Sequence, residues 1–329
     1  MRATSIAFFN ATRPRTYPLA IAGVLVGNAL AFSKIGNFNS HNWLIFALTL
    51  WVALGLQILS NLANDYGDGI KGTDNHRLDR QIAQQRLSPT ILKYMIFTWS
   101  GIVFISGVIL CWVAFNTYLE RLSFIGLGIV AIIAAITYTM GKRPYGYHAK
   151  GEIAVFAFFG LLNVLGSVYL QTQFIRISDV LAASTVGLLC TCVLMINNMR
   201  DIDTDKLTGK HTLAVAMGKE NISQLYRFLL LTAYFLLMTF DVLRQNFYMP
   251  LVLLMSYHVF RHLKAVSLYA DNIITPTELG PELKQIVFIT LGTSMLMSIG
   301  VILFNFSAHD RNTKLNLANA YQIKNEAID

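Results

Sequence analysis

The sequence predicts an all-α, polytopic membrane bundle of about nine transmembrane helices, and three observations carry that expectation. Of its 329 residues 54% are hydrophobic and only 13% charged, where a soluble domain carries about 25% charged residues. The apolar residues gather in runs close to 20 long, the length a helix needs to cross the hydrocarbon core. The basic residues between those runs fall mostly on alternate segments, as the positive-inside rule requires.

The first run, 17–36, follows Arg13-Pro14-Arg15-Thr16-Tyr17-Pro18. Pro14 or Pro18 fits an opening turn, where its missing amide costs little. Arg13 and Arg15 read first as anchors at lipid headgroups and second as groups that reach an anionic substrate. Further runs lie near 42–64, 94–116, 122–140, 153–172 and 180–199. Two short ones, 226–241 and 245–262, are narrowly divided by Asp241, Arg244 and Gln245, and 286–306 closes the set. With the N-terminus in the cytoplasm, 19 of the 26 basic residues fall on inner segments. The net charge of +8 is therefore read as membrane orientation rather than a nucleic-acid surface. The whole of 1–329 reads as a single domain in a bacterial inner membrane, with no cleavable leader. Its cytoplasmic loops lie near 65–93 and 198–225, and a short tail spans 307–329. Cys111, Cys190 and Cys192 match no disulfide or zinc spacing and are expected as buried thiols. The seven histidines are scattered, and there is no Walker or dinucleotide fingerprint.

The acids are lopsided in a way that orientation does not explain. One cluster reads Asn61-Leu-Ala-Asn64-Asp65-Tyr66-Gly67-Asp68-Gly69-Ile-Lys71-Gly72-Thr73-Asp74, the other Asn197-Asn198-Met199-Arg200-Asp201-Ile-Asp203-Thr204-Asp205-Lys206. Helical spacing stacks Asn61 with Asp65, Asn64 with Asp68, and Asn197 with Asp201 and Asp205. Carboxylates this close raise one another's pKa. A hard cation such as Mg2+, held by Asp and Asn oxygens and bridging to phosphate, removes the conflict. The bland alternative is a pair of solvated, helix-capping loops. Lys71, Arg77, Arg80, Arg200, Lys206 and Lys210 beside the acids could take the remaining phosphate oxygens, or serve orientation alone. The loop Tyr138 to Glu152 is dense in Gly, aromatic and basic residues. Glu152 either caps the next helix or faces a substrate. Gly160, Asn163 and Gly166 predict close helix packing, and Asn163 should find a polar partner or ligand.

These blocks resemble the paired aspartate motifs of the UbiA superfamily of intramembrane prenyltransferases. The stretch Gln57 to Asp74, with Gly72 and Asp74 where other branches place an acid four residues after Asp68, is similar to the menaquinone branch. So are Gly141 to Glu152 with Phe158-Phe159-Gly160 and Gly166, and Asn197 to Leu213. One loop departs: Arg77-Leu-Asp79-Arg80-Gln81 replaces an Arg-x-Gly-Pro-x-Arg segment. The resemblance implies the UbiA-like nine-span fold. It also implies transfer of a polyprenyl group from its diphosphate to 1,4-dihydroxy-2-naphthoate, with decarboxylation and release of diphosphate, giving a demethylmenaquinone. It implies two Mg2+ ions on Asp65, Asp68, Asp201 and Asp205, assisted by Asn64 and Asn197, with Asp74 of second rank. Lys71, Arg80, Arg200, Lys206 and Lys210 are expected at the diphosphate, and Arg143, Tyr145, Glu152 and Asn163 at the aromatic acceptor. No protein partner is implied. Other readings are a sister enzyme with 4-hydroxybenzoate or homogentisate as acceptor, or a cation-coupled transporter built on repeats.

Overall fold

A computed structural model describes the backbone of residues 2–73, 77, 80–244 and 252–326, and the side chains of residues 6–304 within those ranges. A short helix, α1 (Arg2–Ala11), precedes α2 (Tyr17–Ile35). Asn39 caps α3 (Ser40–Lys71) by a reciprocal box with Asn42, which satisfies otherwise orphaned amides. Ser88 with Pro89 starts α4 (Pro89–Ala114), and Thr117 caps α5 (Tyr118–Thr137). Then come α6 (Gly151–Thr172), α7 (Ile177–Arg200), α8 (Ile202–Leu207), α9 (Leu213–Arg244), α10 (Ser256–Ala270) and α11 (Gly280–Glu326).

Eight helices among the described residues are long and apolar enough to cross a membrane, and the protein is an integral membrane bundle. About nine were expected. The difference lies at the run 245–262, of which 245–251 fall outside the described residues. Its described part enters α10, whose 15 residues span about 22 Å at 1.5 Å per residue. That is less than the roughly 30 Å of hydrocarbon. The run 226–241 is the later part of the 32-residue α9, which turns at Gly218 with φ 76°.

The bundle is built around α7, which packs on α6 and α9 and has the largest buried share of any span. Cys190 and Cys192 on α7 and Cys111 on α4 are buried free thiols, as expected. Where α6 crosses α7, a Cβ on Gly160 would lie 2.4 Å from the Gly187 Cα. Only two glycines allow that approach, and around it ten residues of α6, Phe156–Leu165, adopt π-helical geometry, a distortion often found near functional sites. Asn163 in this stretch donates to the Ala20 carbonyl of α2 at 2.9 Å, the polar partner its apolar setting required. Gly166 makes no comparable contact; its nearest neighbour is a Leu162 methyl at 3.9 Å.

Candidate active site

The two aspartate clusters meet at one end of the bundle. Asn64, Asp65 and Asp68 occupy the last turns of α3, which stops at Gly72 in the left-handed region, φ 74°, where glycine has no Cβ penalty. Asp201 ends α7, Asp205 sits on α8, and Gly209, φ 73°, turns the chain to Lys210. The amides of Asp201 and Asp205 still bond the carbonyls of Asn197 and Asp201. The helical register of this cluster therefore survives the break between α7 and α8.

Cations hold the clusters together. Lys210 Nζ lies 3.7 Å from Asp68 Oδ2 and 3.7 Å from Asp205 Oδ1. Arg80 is 3.6 Å from Asp68, and Arg77 is 3.3 Å from Asp201. Arg200 grips Asp201 by two bonds, 2.7 and 2.6 Å, and reaches Asn197 Oδ1 at 3.0 Å. Tyr147 donates to Asp68 Oδ1 at 2.8 Å. The loop that carries Tyr147 is fixed to both clusters. Thr139 donates to the Ala63 carbonyl, and the Ala149 amide bonds the His211 carbonyl at 2.9 Å.

The two acids of the second cluster differ in charge behaviour. Burial works to raise the Asp201 carboxyl, but Arg200, Arg77 and Lys210 outweigh it and hold the group below its ordinary value. Burial, with Asp201 and Asp68 adding repulsion, pushes Asp205 up to about 7 against the pull of Lys210. Its Oδ2 is buried without a hydrogen-bond donor among the described residues, a costly arrangement for a carboxylate. A divalent ion would relieve it, so the acids fit such an ion chemically. Among the described residues no three His, Cys, Asp or Glu side chains already stand at metal-ligand spacing. Waters and phosphate oxygens would complete the shell, as magnesium commonly requires.

A cavity of about 570 Å³ opens from this cluster, lined at its polar end by Asn64, Asp68, Arg77, Arg80, Arg200 and Lys210. Tyr138, Tyr145, Asn163, Asn197 and Asn198 also line it, and an apolar shaft continues beyond. Burial raises the Tyr145 hydroxyl to about 12 and Tyr138 well above its ordinary value, so both stay neutral donors. Glu152 is buried one layer behind, accepting from Asn198 at 2.9 Å.

Several expected residues stand elsewhere. Both Asp65 oxygens accept from the Gln81 amide, at 3.1 and 3.0 Å. Lys71 donates to the Thr139 carbonyl and lies over the Tyr147 ring. Lys206 and Arg143 are exposed, away from the cavity wall. Asp74 lies outside the described residues. Arg13 and Arg15 line the cavity, which suits the second reading, in which they reach an anionic substrate. The Thr12–Thr16 segment is docked on α3, where Asn61 donates to the Thr12 carbonyl and the Thr16 hydroxyl, both at 2.8 Å. Tyr147, inside the loop 138–152, and Asn198, next to Asn197, carry no role by spacing alone; only the fold brings them to Asp68 and Glu152.

Residues 20–275 match the model of the UbiA prenyltransferase family. The chain is 38% identical over 304 residues to 1,4-dihydroxy-2-naphthoate octaprenyltransferase of Haemophilus influenzae, covering 90% of this chain and 96% of that one. It is 37% identical over 305 residues to the Escherichia coli (strain K12) protein of the same name, covering 92% and 97%. Among solved structures it resembles a UbiA homolog from Archaeoglobus fulgidus bound to GPP and Mg2+, with TM-score 0.56 at 14% identity, covering 92% of this chain and 98% of that one. A digeranylgeranylglyceryl phosphate synthase structure gives TM-score 0.55 at 18% identity, covering 92% and 99%. At such identities these two likenesses concern the fold.

Proposed function

The chain belongs to the UbiA prenyltransferase family, and from that premise we propose that it transfers a polyprenyl group from its diphosphate to 1,4-dihydroxy-2-naphthoate. The relatives bearing that activity in their names support the acceptor. The observation that carries the reaction is Lys210, which bridges Asp68 of one cluster and Asp205 of the other at the mouth of one apolar cavity. The relatives, prenyltransferases by name, favour this reading over a cation-coupled transporter.

Asp68, Asp201 and Asp205, assisted by Asn64 and Asn197, would hold two magnesium ions, with Asp74 as a further candidate. When bound, such ions neutralise charge developing on the diphosphate oxygens as the allylic carbon–oxygen bond breaks. Arg77, Arg80, Arg200 and Lys210 are placed to take the other oxygens, Arg by forked donation. We assign Asp65 a positioning role, because its grip on the Gln81 amide fixes the neighbouring Arg80 opposite Asp68. The C1–O bond of the donor breaks with its electron pair leaving on diphosphate. A carbon–carbon bond forms from the ring to C1, and the carboxylate departs as carbon dioxide, returning its pair to the ring. Written so, the step balances without a general base and yields demethylmenaquinone in its quinol form. The apolar shaft excludes water from the allylic cation. Asn163, Tyr138 and Tyr145 face the cavity on the acceptor side, with Glu152 behind Asn198. Arg143 is the weakest of the acceptor candidates, standing outside the cavity wall. The distribution of basic residues supports a cytoplasmic N-terminus and acidic end in a protein of the bacterial inner membrane, with 1–329 read as one unit.

Purified protein given labelled polyprenyl diphosphate, the naphthoate and Mg2+ should release diphosphate and form prenylated product. Asp68→Ala and Asp201→Ala should abolish both while the protein still folds. Near-wild-type product from either variant refutes the assignment.

A further inference from the structure

The cavity gathers its charged groups at one end. Along one face of α3 it runs from Asp68 back to Thr49; Asn64 and Asp68 line the polar mouth, and the stretch from Asn61 back to Thr49, twelve residues, rises about 18 Å. At the far end it meets Leu110, Cys111, Phe124 and Leu170. Behind them lies an aromatic trio contributed by three segments. The Phe115 ring is centred 4.7 Å from Phe124 and 6.0 Å from Tyr169, and Phe124 stacks on Tyr169 at 5.5 Å. The trio is braced from below. Tyr169 donates to Glu120 at 3.3 Å, Glu120 accepts from Thr117 at 2.6 Å, and Arg121 donates to the Phe115 carbonyl at 2.9 Å. The side wall is thinner. Phe104 and Leu127 line the shaft yet are 40% and 42% exposed. At Gly107 and Gly128, which also line it, no atom lies within 4 Å of where a Cβ would sit.

We infer that Phe124, backed by Phe115 and Tyr169, is a length stop for the isoprenoid chain of the donor. This rests on the prenyl-transfer reading above. An isoprene repeats every four chain carbons, roughly 5 Å with carbon–carbon bonds of about 1.5 Å, so the shaft beyond the polar mouth holds about three or four units in line. Further units turn sideways past Phe104 and Leu127 toward lipid. A chain too short to reach the stop leaves the shaft lining without contacts. A chain beyond it gains nothing more, because lipid tails are as apolar as the side chains.

The test offers the purified full-length protein an equimolar mixture of allylic diphosphates from two to eight isoprenes, with the naphthoate and Mg2+, and reads product ratios by mass spectrometry. Wild-type yield should rise severalfold up to about three or four isoprenes and then level off. Phe124→Ala removes a ring of about one isoprene's bulk and should move the break one unit longer; Phe124→Trp should move it one unit shorter. Tyr169→Phe keeps its ring and should leave the break in place. A break at the same length in wild type and both Phe124 variants, or no break at all, overturns the stop while leaving prenyl transfer intact. Failure of the wild type with every donor overturns the prenyl-transfer reading, and the stop with it.

Discussion

Asp205 should make the binding of magnesium pH-dependent. Its carboxyl is pushed up to about 7 by burial first and then by Asp201 and Asp68, while a metal ligand must be deprotonated. Below that value the ion competes with one proton; above it the competition disappears. For a single proton with a pKa of about 7, apparent affinity at pH 6 should be about tenfold weaker than at pH 8. At pH 7 binding should release about half a proton from this group. The assay is calorimetric titration of Mg2+ into the protein with a non-hydrolysable diphosphate, repeated in buffers of different ionisation enthalpy to count protons. Asp205→Asn should bind more weakly but lose this pH dependence. An affinity flat between pH 6 and 8 in the wild type, or the same slope in Asp205→Asn, refutes the reasoning. The stability linkage has the opposite sign to that of a salt-bridged acid. Because the folded value lies above the unfolded one of 3.8, Asp205 contributes stability at low pH and loses it as pH rises from about 4 to about 7.

Three further outcomes are expected. Tyr147→Phe removes the hydroxyl that donates to Asp68; losing such a buried bond to a charged group should destabilise the fold by about 1.5–3 kcal/mol, read as a lower melting temperature, and should also lower kcat because Asp68 loses a fixed orientation. Asp65→Asn weakens the clamp on the Gln81 amide but leaves the proposed ligand set, so steady-state kinetics should show a smaller loss than Asp68→Asn; equal losses would return Asp65 to the metal. Gly160→Ala drives a methyl into the Gly187 backbone and should destabilise the protein by about 1–3 kcal/mol, read as a lower melting temperature, whereas Gly107→Ala, with open space at its Cβ, should not.

The parts legible in the sequence were those that depend on local composition and spacing. Runs of apolar residues announced the spans, because no other backbone arrangement short of a closed barrel satisfies its amides in lipid. The region near Gln245 resisted, since Asp241, Arg244 and Gln245 interrupt the apolar pattern on which that reading depends. The approach of the two acid clusters was suggested by their matching helical spacing, and the structure brings Asp68 and Asp205 to one Lys210. Asp65 was grouped with them on the same spacing. A partner it has in the structure, the Gln81 amide, is sixteen residues away across an irregular loop, and periodicity carries no information about such a contact. The place of Arg13 at the cavity was illegible for a like reason: Asn61, which holds the adjacent Thr12 carbonyl, comes 49 positions after it.

What the sequence determined unaided, then, was chemistry along each helix: which segments enter lipid, which ends carry acid, and which cations accompany them. Tertiary structure decided which ends share a cavity. The meeting of Asp68 with Asp205 through Lys210, and of Phe115 with Phe124 and Tyr169 at the far end of the shaft, follows from helix packing in three dimensions. Such packing is set by side-chain shape and close backbone approach, as at Gly160 and Gly187, and these are properties of pairs of segments rather than of either segment alone.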